Sequence, residues 1–321
     1  MQTKEVIVKV EPSDEWDGGP PPASSSLEGA SLSPTLVAHR GFSEEYPENT
    51  CLAFAKALEA GATVVECDVQ FCKTGEVVIM HDATVDRTTD GTGAVANLTL
   101  QELKALDAGV KKGSEFQGER VPLLSEALEI FTSRSDGAKF LIELKFRMFT
   151  WSGPAAYKNL AEEVVKIIKA ADAQHVVIVH SFIESYLRTI KELAPEIECH
   201  LLCFPWRWAS TLARIDYVDG YSPNVLAITP TFVNYMHRHG KKVFCWTVNA
   251  EEQMRYCIAI GVDGVISDRV ATLERVAGDA QQQRDPLLVR RPSRSWKYVL
   301  VHMFFIIPIS WITNICAIFM T

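Results

Sequence analysis

Neither a basic charge balance nor a paired-cysteine pattern occurs in this 321-residue chain, and each absence removes a class of function. A formal net charge of −8 argues against a nucleic-acid footprint. The eight cysteines (51, 67, 72, 199, 203, 245, 257 and 316) form no CxxC pair and no paired zinc spacing. There is no glycine-rich dinucleotide or P-loop fingerprint and no internal repeat. The start, MQTKEVIVKVEPSDEWDGG, lacks the apolar core of a secretory signal, so a chain made in the cytosol with reduced thiols is expected. One stretch, Tyr298 to Thr321, has no Asp, Glu, Lys or Arg at all.

What is present is organised around Ala62 to Asp82. Val64, Val65 and Val69 carry the β-branched bias of a buried strand, yet Glu66 and Asp68 interrupt it. Residues two apart in a strand share a face, so both acids leave on one side. Burying two like charges requires a cation or donors nearby; a half-buried strand with its acids in water is the plain alternative. Lys73 to Glu76 reads as a turn and Val77 to Met80 as a returning strand. Counting back from that turn predicts Cys72 opposite Val77, Gln70 opposite Ile79 and Asp68 opposite His81.

The remainder alternates. A strand at Leu36 to Ala38 delivers His39-Arg40-Gly41, and Thr50 caps a helix closed by Gly61. Ser125 is expected to cap another helix. Further strands are expected at 140–145, 176–179, 199–204, 220–224, 243–248 and 264–267, with helices at 155–170, 184–193, 229–239, 250–260 and 271–276. Eight strand–helix units over about 240 residues suit a (β/α)8 TIM barrel, with a doubly wound open sheet as the competing arrangement. The barrel is preferred because His39, Glu66, Asp68, Glu143, Lys145, Trp246 and Asp268 all fall near carboxyl ends of strands, which converge only in a barrel. Asp86 to Pro122, polar and Gly-rich with one short helical pattern, is then a small inserted subdomain over or beside the mouth.

Gathered at one mouth, Glu66, Asp68 and Glu143 are oxygen donors suited to Mg2+ or Ca2+ rather than Zn2+. Arg40 and Lys145 call for an anionic substrate, usually a phosphate. His39 and His81 fit an acid–base pair. Together these point to metal-assisted phosphodiester cleavage.

His39-Arg40-Gly41, Pro47-Glu48-Asn49-Thr50, Glu66-x-Asp68, the block from His81-Asp82 through Asp86-Arg87-Thr88-Thr89-Asp90-Gly91-x-Gly93, Glu143-x-Lys145 and Trp246-Thr247-Val248-Asn249 resemble the glycerophosphodiester phosphodiesterase family over roughly residues 36–275. The resemblance implies a phosphatidylinositol-phospholipase-C-like barrel with an insertion after the hairpin. It implies His39 and His81 as the acid–base pair, Glu66, Asp68 and Glu143 as metal ligands, Arg40 and Lys145 on phosphate, and Trp246 lining the substrate wall. It also implies a two-step route: a neighbouring substrate hydroxyl attacks phosphorus, and water opens the resulting cyclic phosphate. Where the family often has a second glycine after His-Arg-Gly, this chain has Phe42.

Plainer roles compete at some positions. Trp246 also suits core packing, Asp268 suits the cap of the last helix, and Glu48 sits either near a helix start or beside Arg40. His175, His180, His200, His237, His239 and His302 show no partner spacing and read as structural or surface residues. The expected substrates are glycerophosphodiesters, alternatively lysophospholipids in a lysophospholipase D; an inactive membrane-attached binding module is the remaining alternative.

The expected organisation is a disordered arm (1–34), the barrel (35–277, insertion about 86–122), a basic linker (278–297) and a transmembrane tail anchor (298–321). Val299 to Met320 is a 22-residue apolar run, about 33 Å as a helix, enough to cross a bilayer. Arg290, Arg291, Arg294 and Lys297 precede it, so a single-pass C-terminal anchor with its catalytic domain facing the cytosol is expected.

Overall fold

The computed structural model describes residues 34–134, 136–145, 154–204, 215–226 and 228–282. The expected arm (apart from Pro34), most of the linker and the expected membrane segment lie outside these residues. Among the described residues, no helix is long and apolar enough to cross a membrane.

Strands β1 (Thr35–Ala38), β2 (Val64–Phe71), β4 (Lys139–Leu144), β5 (Val177–Ser181), β6 (Glu198–Cys203), β7 (Gly220–Pro223), β8 (Lys242–Cys245) and β9 (Gly264–Ser267) pair in parallel. β1 is bonded to both β2 and β9, which closes the ring and settles the choice against an open sheet. β3 (Val77–Ile79) folds back antiparallel on β2. Helices α1 (Cys51–Glu59), α3 (Leu124–Thr132), α4 (Pro154–Ala170), α5 (Glu184–Leu193), α6 (Pro230–Arg238), α7 (Glu251–Ala259) and α8 (Val270–Gln282) are the described helices between and after the strands, and α2 (Leu100–Ala105) belongs to the insertion.

Local chemistry sets the ends of these elements. Thr50 Oγ1 accepts from the Ala53 N–H, and Gly61, at φ +89°, takes the left-handed turn that ends α1. α1 buries Ala53, Phe54, Ala57 and Leu58 on one face. Thr229 caps α6 with Pro230 following it, and Thr99 with Glu102 forms a reciprocal capping box on α2. Ser125 is not a cap: α3 begins one residue earlier, and the Glu126 carboxylate accepts the Leu123 N–H in that role.

The hairpin register differs from expectation by one residue. Val69, Gln70 and Phe71 face Ile79, Val78 and Val77, and the Met80 N–H donates to the Asp68 carbonyl. The cause is a three-residue loop. Cys72 N–H bonds to Glu76 O, Gly75 N–H bonds to Cys72 O, and Gly75 has φ +94°; a turn followed by a left-handed glycine is the usual three-residue hairpin closure. His81 therefore lies one residue beyond the position opposite Asp68.

Parity also places the insertion. Val78 stands opposite Gln70, so it shares the face that carries Glu66 and Asp68. Val78 and Met80, with Cys72, form a small core with Val85, Val95, Leu103, Ala108 and Val121. The insertion thus packs on the acid-bearing face of the hairpin. Asp107 organises its loops, accepting from Gly109, Val110 and Gly118 N–H groups, and Lys112 Nζ reaches the Ser43 and Glu44 carbonyls.

Candidate active site

Inside the barrel, Val37, Val64, Leu141, Ile178, Phe244 and Ile266 pack into an apolar floor. Two residues further along each of these six strands come His39, Glu66, Glu143, His180, Trp246 and Asp268. The two-residue repeat of a strand turns these six toward the same interior, one layer nearer the carboxyl ends. The floor is apolar, and the layer above it holds five ionisable side chains and Trp246. Asp68 and Lys145 occupy the next layer on β2 and just past β4.

The polar groups interlock. Lys145 Nζ lies 2.8 Å from Glu143 Oε1 and 3.3 Å from Asp68 Oδ1. Asp68 Oδ2 accepts from Asn49 Nδ2 at 2.8 Å and faces Arg40 Nε at 3.3 Å. Arg40 and Asn49 both have φ +58°, a left-handed conformation that is strained for residues with a Cβ. The strain aims the Arg40 N–H at Glu66 Oε2 (2.9 Å), while the Asn49 N–H bonds to the Arg40 carbonyl. Gly41 follows at φ +79°, and a Cβ there would lie 2.7 Å from the Ala53 backbone.

Each sequence-expected histidine has a carboxylate on Nδ1: Asp268 at 2.5 Å for His39, and Asp82 at 2.6 Å for His81. Nε2 of each ring is left outside these two carboxylate contacts. Arg87, from the insertion, grips Asp82 through Nε and Glu48 through both terminal nitrogens, and Glu48 in turn holds Arg40.

The environment treats these groups unequally. Burial and Arg40 act against a charged His39, but the Asp268 hydrogen bond and the charges of Glu66 and Asp268 outweigh them, and its pKa is raised. Burial and Lys145 lower His81, with Asp68 and Asp82 compensating only in part. Burial opposes ionised Asp68, yet Lys145, His81 and Arg40 hold it well below the usual carboxylate range. Burial and adjacent Asp68 raise Glu66. Lys145, despite burial, is raised by Glu143 and Asp68.

One oxygen each of Glu66 and Glu143 and a ring nitrogen of His180 lie within 4.8 Å of one another. Glu66 Oε1, Asp68 Oδ1 and both His180 nitrogens are buried without a hydrogen-bond partner. Asp68 Oδ1 still has Lys145 Nζ 3.3 Å away, whereas Glu66 Oε1 and the His180 ring face one another unbonded, a pairing suited to a cation.

A family model for the glycerophosphoryl diester phosphodiesterase family matches residues 39–272. The chain belongs to this family. A glycerophosphodiester phosphodiesterase of Caldanaerobacter subterraneus is 40% identical over 245 residues, covering 74% of this chain and 95% of that one. One from Bacillus altitudinis is 33% identical over 240 residues, covering 73% and 94%. A solved Oleispira antarctica phosphodiesterase in complex with the product sn-glycerol-3-phosphate is 31% identical with a TM-score of 0.68, covering 77% of this chain and 98% of that one. The chain is therefore a phosphoric diester hydrolase.

Within this glycerophosphodiester phosphodiesterase barrel, His39, Arg40, Glu66, Asp68, His81, Glu143 and Lys145 come together as expected of one site. Trp246 stands across the mouth among aromatics: its Nε1 donates to Ser222 O at 2.6 Å, and its ring is edge-on to Phe182 and Phe204. Two readings change. Asp268 does not cap α8 with its side chain, which instead serves His39 and is steadied by Asn249 and Ser43. His180 is no isolated structural histidine, because it faces Glu66 and Glu143. Strand register could have found both: Ala38 pairs with Ser267, which puts His39 beside Asp268, and Glu143 pairs with His180.

Proposed function

We propose that this phosphodiesterase cleaves glycerophosphodiesters to glycerol 3-phosphate and an alcohol, with His81 as the first general base and His39 as the first general acid. The observation that carries the assignment is the opposite treatment of the two rings, one held toward its protonated form by Asp268 and the other toward neutrality by burial and Lys145. A pair pushed apart in this way suits one donor and one acceptor at neutral pH.

His81 Nε2 takes the proton of the glycerol hydroxyl next to the phosphate as that oxygen bonds to phosphorus. His39 Nε2 gives its proton to the departing alcohol oxygen as the other P–O bond breaks. In the second step water attacks the cyclic phosphate, surrendering its proton to the now neutral His39, while protonated His81 returns a proton to the ring-opening oxygen. Arg40 and Lys145 seat the phosphoryl oxygens. A divalent cation held by Glu66, Asp68 and Glu143, Mg2+ or Ca2+ for so carboxylate-rich a set, would balance phosphate charge and lower the pKa of the attacking hydroxyl. The Glu66 oxygen that has no hydrogen-bond partner supports that fit.

The second reading, a lysophospholipase D, is favoured by the aromatic wall. Phe182 and Phe204 stack at 4.9 Å and 16°, covering one face of each other, and both meet Trp246 near-perpendicularly. Such a wall is apolar and suits an acyl chain. Membrane attachment through Val299 to Met320, with the barrel in the cytosol, would bring the site to such lipids. Product analysis with glycerophosphocholine, glycerophosphoinositol and lysophosphatidylcholine, before and after chelation, tests the whole reading. Release of neither glycerol 3-phosphate nor lysophosphatidic acid from any of the three would refute it.

A further inference from the structure

We infer that His180 is itself a ligand of this metal site, and that the site takes a first-row transition dication in preference to Ca2+ or Mg2+. The inference rests on the metal-assisted reading above and changes which ion it uses.

His180 is on β5 and in register with Glu143 on β4. It stands two residues above Ile178 of the apolar floor, so its ring enters the barrel. The residue is 2% exposed. Its Nε2 is 3.6 Å from Glu66 Oε1, too far for a hydrogen bond, and neither ring nitrogen has a hydrogen-bond partner. The buried histidine on the neighbouring strand is different: His200 Nε2 is fixed by Glu198 at 2.9 Å, its ring packed edge-on against Phe244. His39 and His81 are likewise tied to carboxylates. A buried imidazole is normally satisfied in this way. His180 points instead at two carboxylates.

The spacing suits coordination. With metal–ligand distances of about 2.1 Å, neighbouring donors of an octahedral ion are about 3 Å apart and opposite ones about 4 Å. His180 Nε2 and Glu66 Oε1, at 3.6 Å, fall between those two separations, and a Glu143 oxygen lies within 4.8 Å of both residues' donor atoms. Asp68 is contested by comparison, since Asn49 bonds Oδ2 and Lys145 approaches Oδ1. An imidazole nitrogen adds little for hard Ca2+ or Mg2+, but it raises affinity for Mn2+, Fe2+, Co2+ and Zn2+.

The test is binding of Mn2+ alone to the full chain, followed by isothermal titration and by electron spin echo modulation from directly bonded 14N. Wild type is expected to bind Mn2+ more tightly than Ca2+ and to show one nitrogen coupling. His180→Gln should lose that coupling and weaken Mn2+ binding about tenfold or more, with Ca2+ affinity moved less than about threefold. Glu143→Gln should weaken every ion. Circular dichroism confirms that each variant is folded, and His180→Asn serves if the glutamine variant is not. Mn2+ binding that depends on Glu143 but shows no nitrogen coupling, or a coupling that survives in both His180 variants, overturns the role of His180 alone. If wild type binds none of these ions and hydrolyses substrate in excess chelator, the metal reading falls and this inference with it.

Discussion

Asp268→Asn is the sharpest perturbation of the proton-transfer assignment. In the native site Asp268 Oδ1 accepts from His39 Nδ1, while Oδ2 accepts from Asn249 Nδ2. An asparagine that keeps the Asn249 bond turns its own amide NH2 toward His39. That ring must then present a bare Nδ1 and carry its proton on Nε2, so the imidazolium loses its counter-charge. A hydrogen bond to a charged group is worth about 1.5–3 kcal/mol, equivalent to about one to two pH units or a 10- to 150-fold change. The sign follows from the raised pKa: His39 must be protonated to act as acid, so removing Asp268 shifts loss of activity to lower pH. The assay is kcat/KM across pH 5 to 10, whose alkaline limb reports the acid of the free enzyme. The limb should move down by about one to two units, with little change in the acidic limb set by His81. A rate that falls while the alkaline limb stays in place would sink His39 as the first acid and leave Asp268 with a packing role.

Asp68→Ala should cost roughly 3–5 kcal/mol in urea denaturation without added metal, because it leaves Arg40, Lys145 and Asn49 facing a buried gap; a loss under about 1 kcal/mol would mean the network contributes little there. Gly41→Ala should lose about 2–3 kcal/mol and much of its activity, since its left-handed backbone and its contact with α1 both exclude a Cβ; an unchanged melting temperature would contradict this. Replacing 92–118 with a short linker should alter KM and substrate preference more than barrel stability, and loss of all folded protein would show the insertion to be indispensable. Asn97, in the sequon Asn97-Leu98-Thr99, is exposed, so it reports topology. It should stay unglycosylated in cells, and protease added to sealed microsomes should digest the barrel; a glycan at Asn97 would reverse the expected orientation.

Much of the site was legible because its residues cluster in short motifs at strand ends. Glu66 and Asp68 announce themselves by breaking an apolar strand, and the alternation of strands and helices suffices for a barrel. The hairpin register slipped because a turn is read from its residues, whereas loop length depends on whether Gly75 takes a left-handed conformation. Asp268 and His180 were misread for another reason. Each faces its partner across neighbouring strands, and His39 and Asp268 are 229 residues apart. Local spacing cannot reveal such a pair; lining up the strands of a closed ring can. Glu48 illustrates the middle ground: its nearness to Arg40 was one of two readings, but its bidentate partner Arg87 comes from the insertion 39 residues away.

Closure of the ring has a consequence for the newly made chain. β1 pairs with β9, and the orienting carboxylate of His39 arrives only with the residue after β9. Until residues 264–268 have emerged and docked, the first histidine has no partner to hold its charge, however well the other strands have assembled. Pairings this distant in sequence are among the slowest to form. A chain that lacks residues 264–268 therefore has neither a closed ring nor the carboxylate that orients His39.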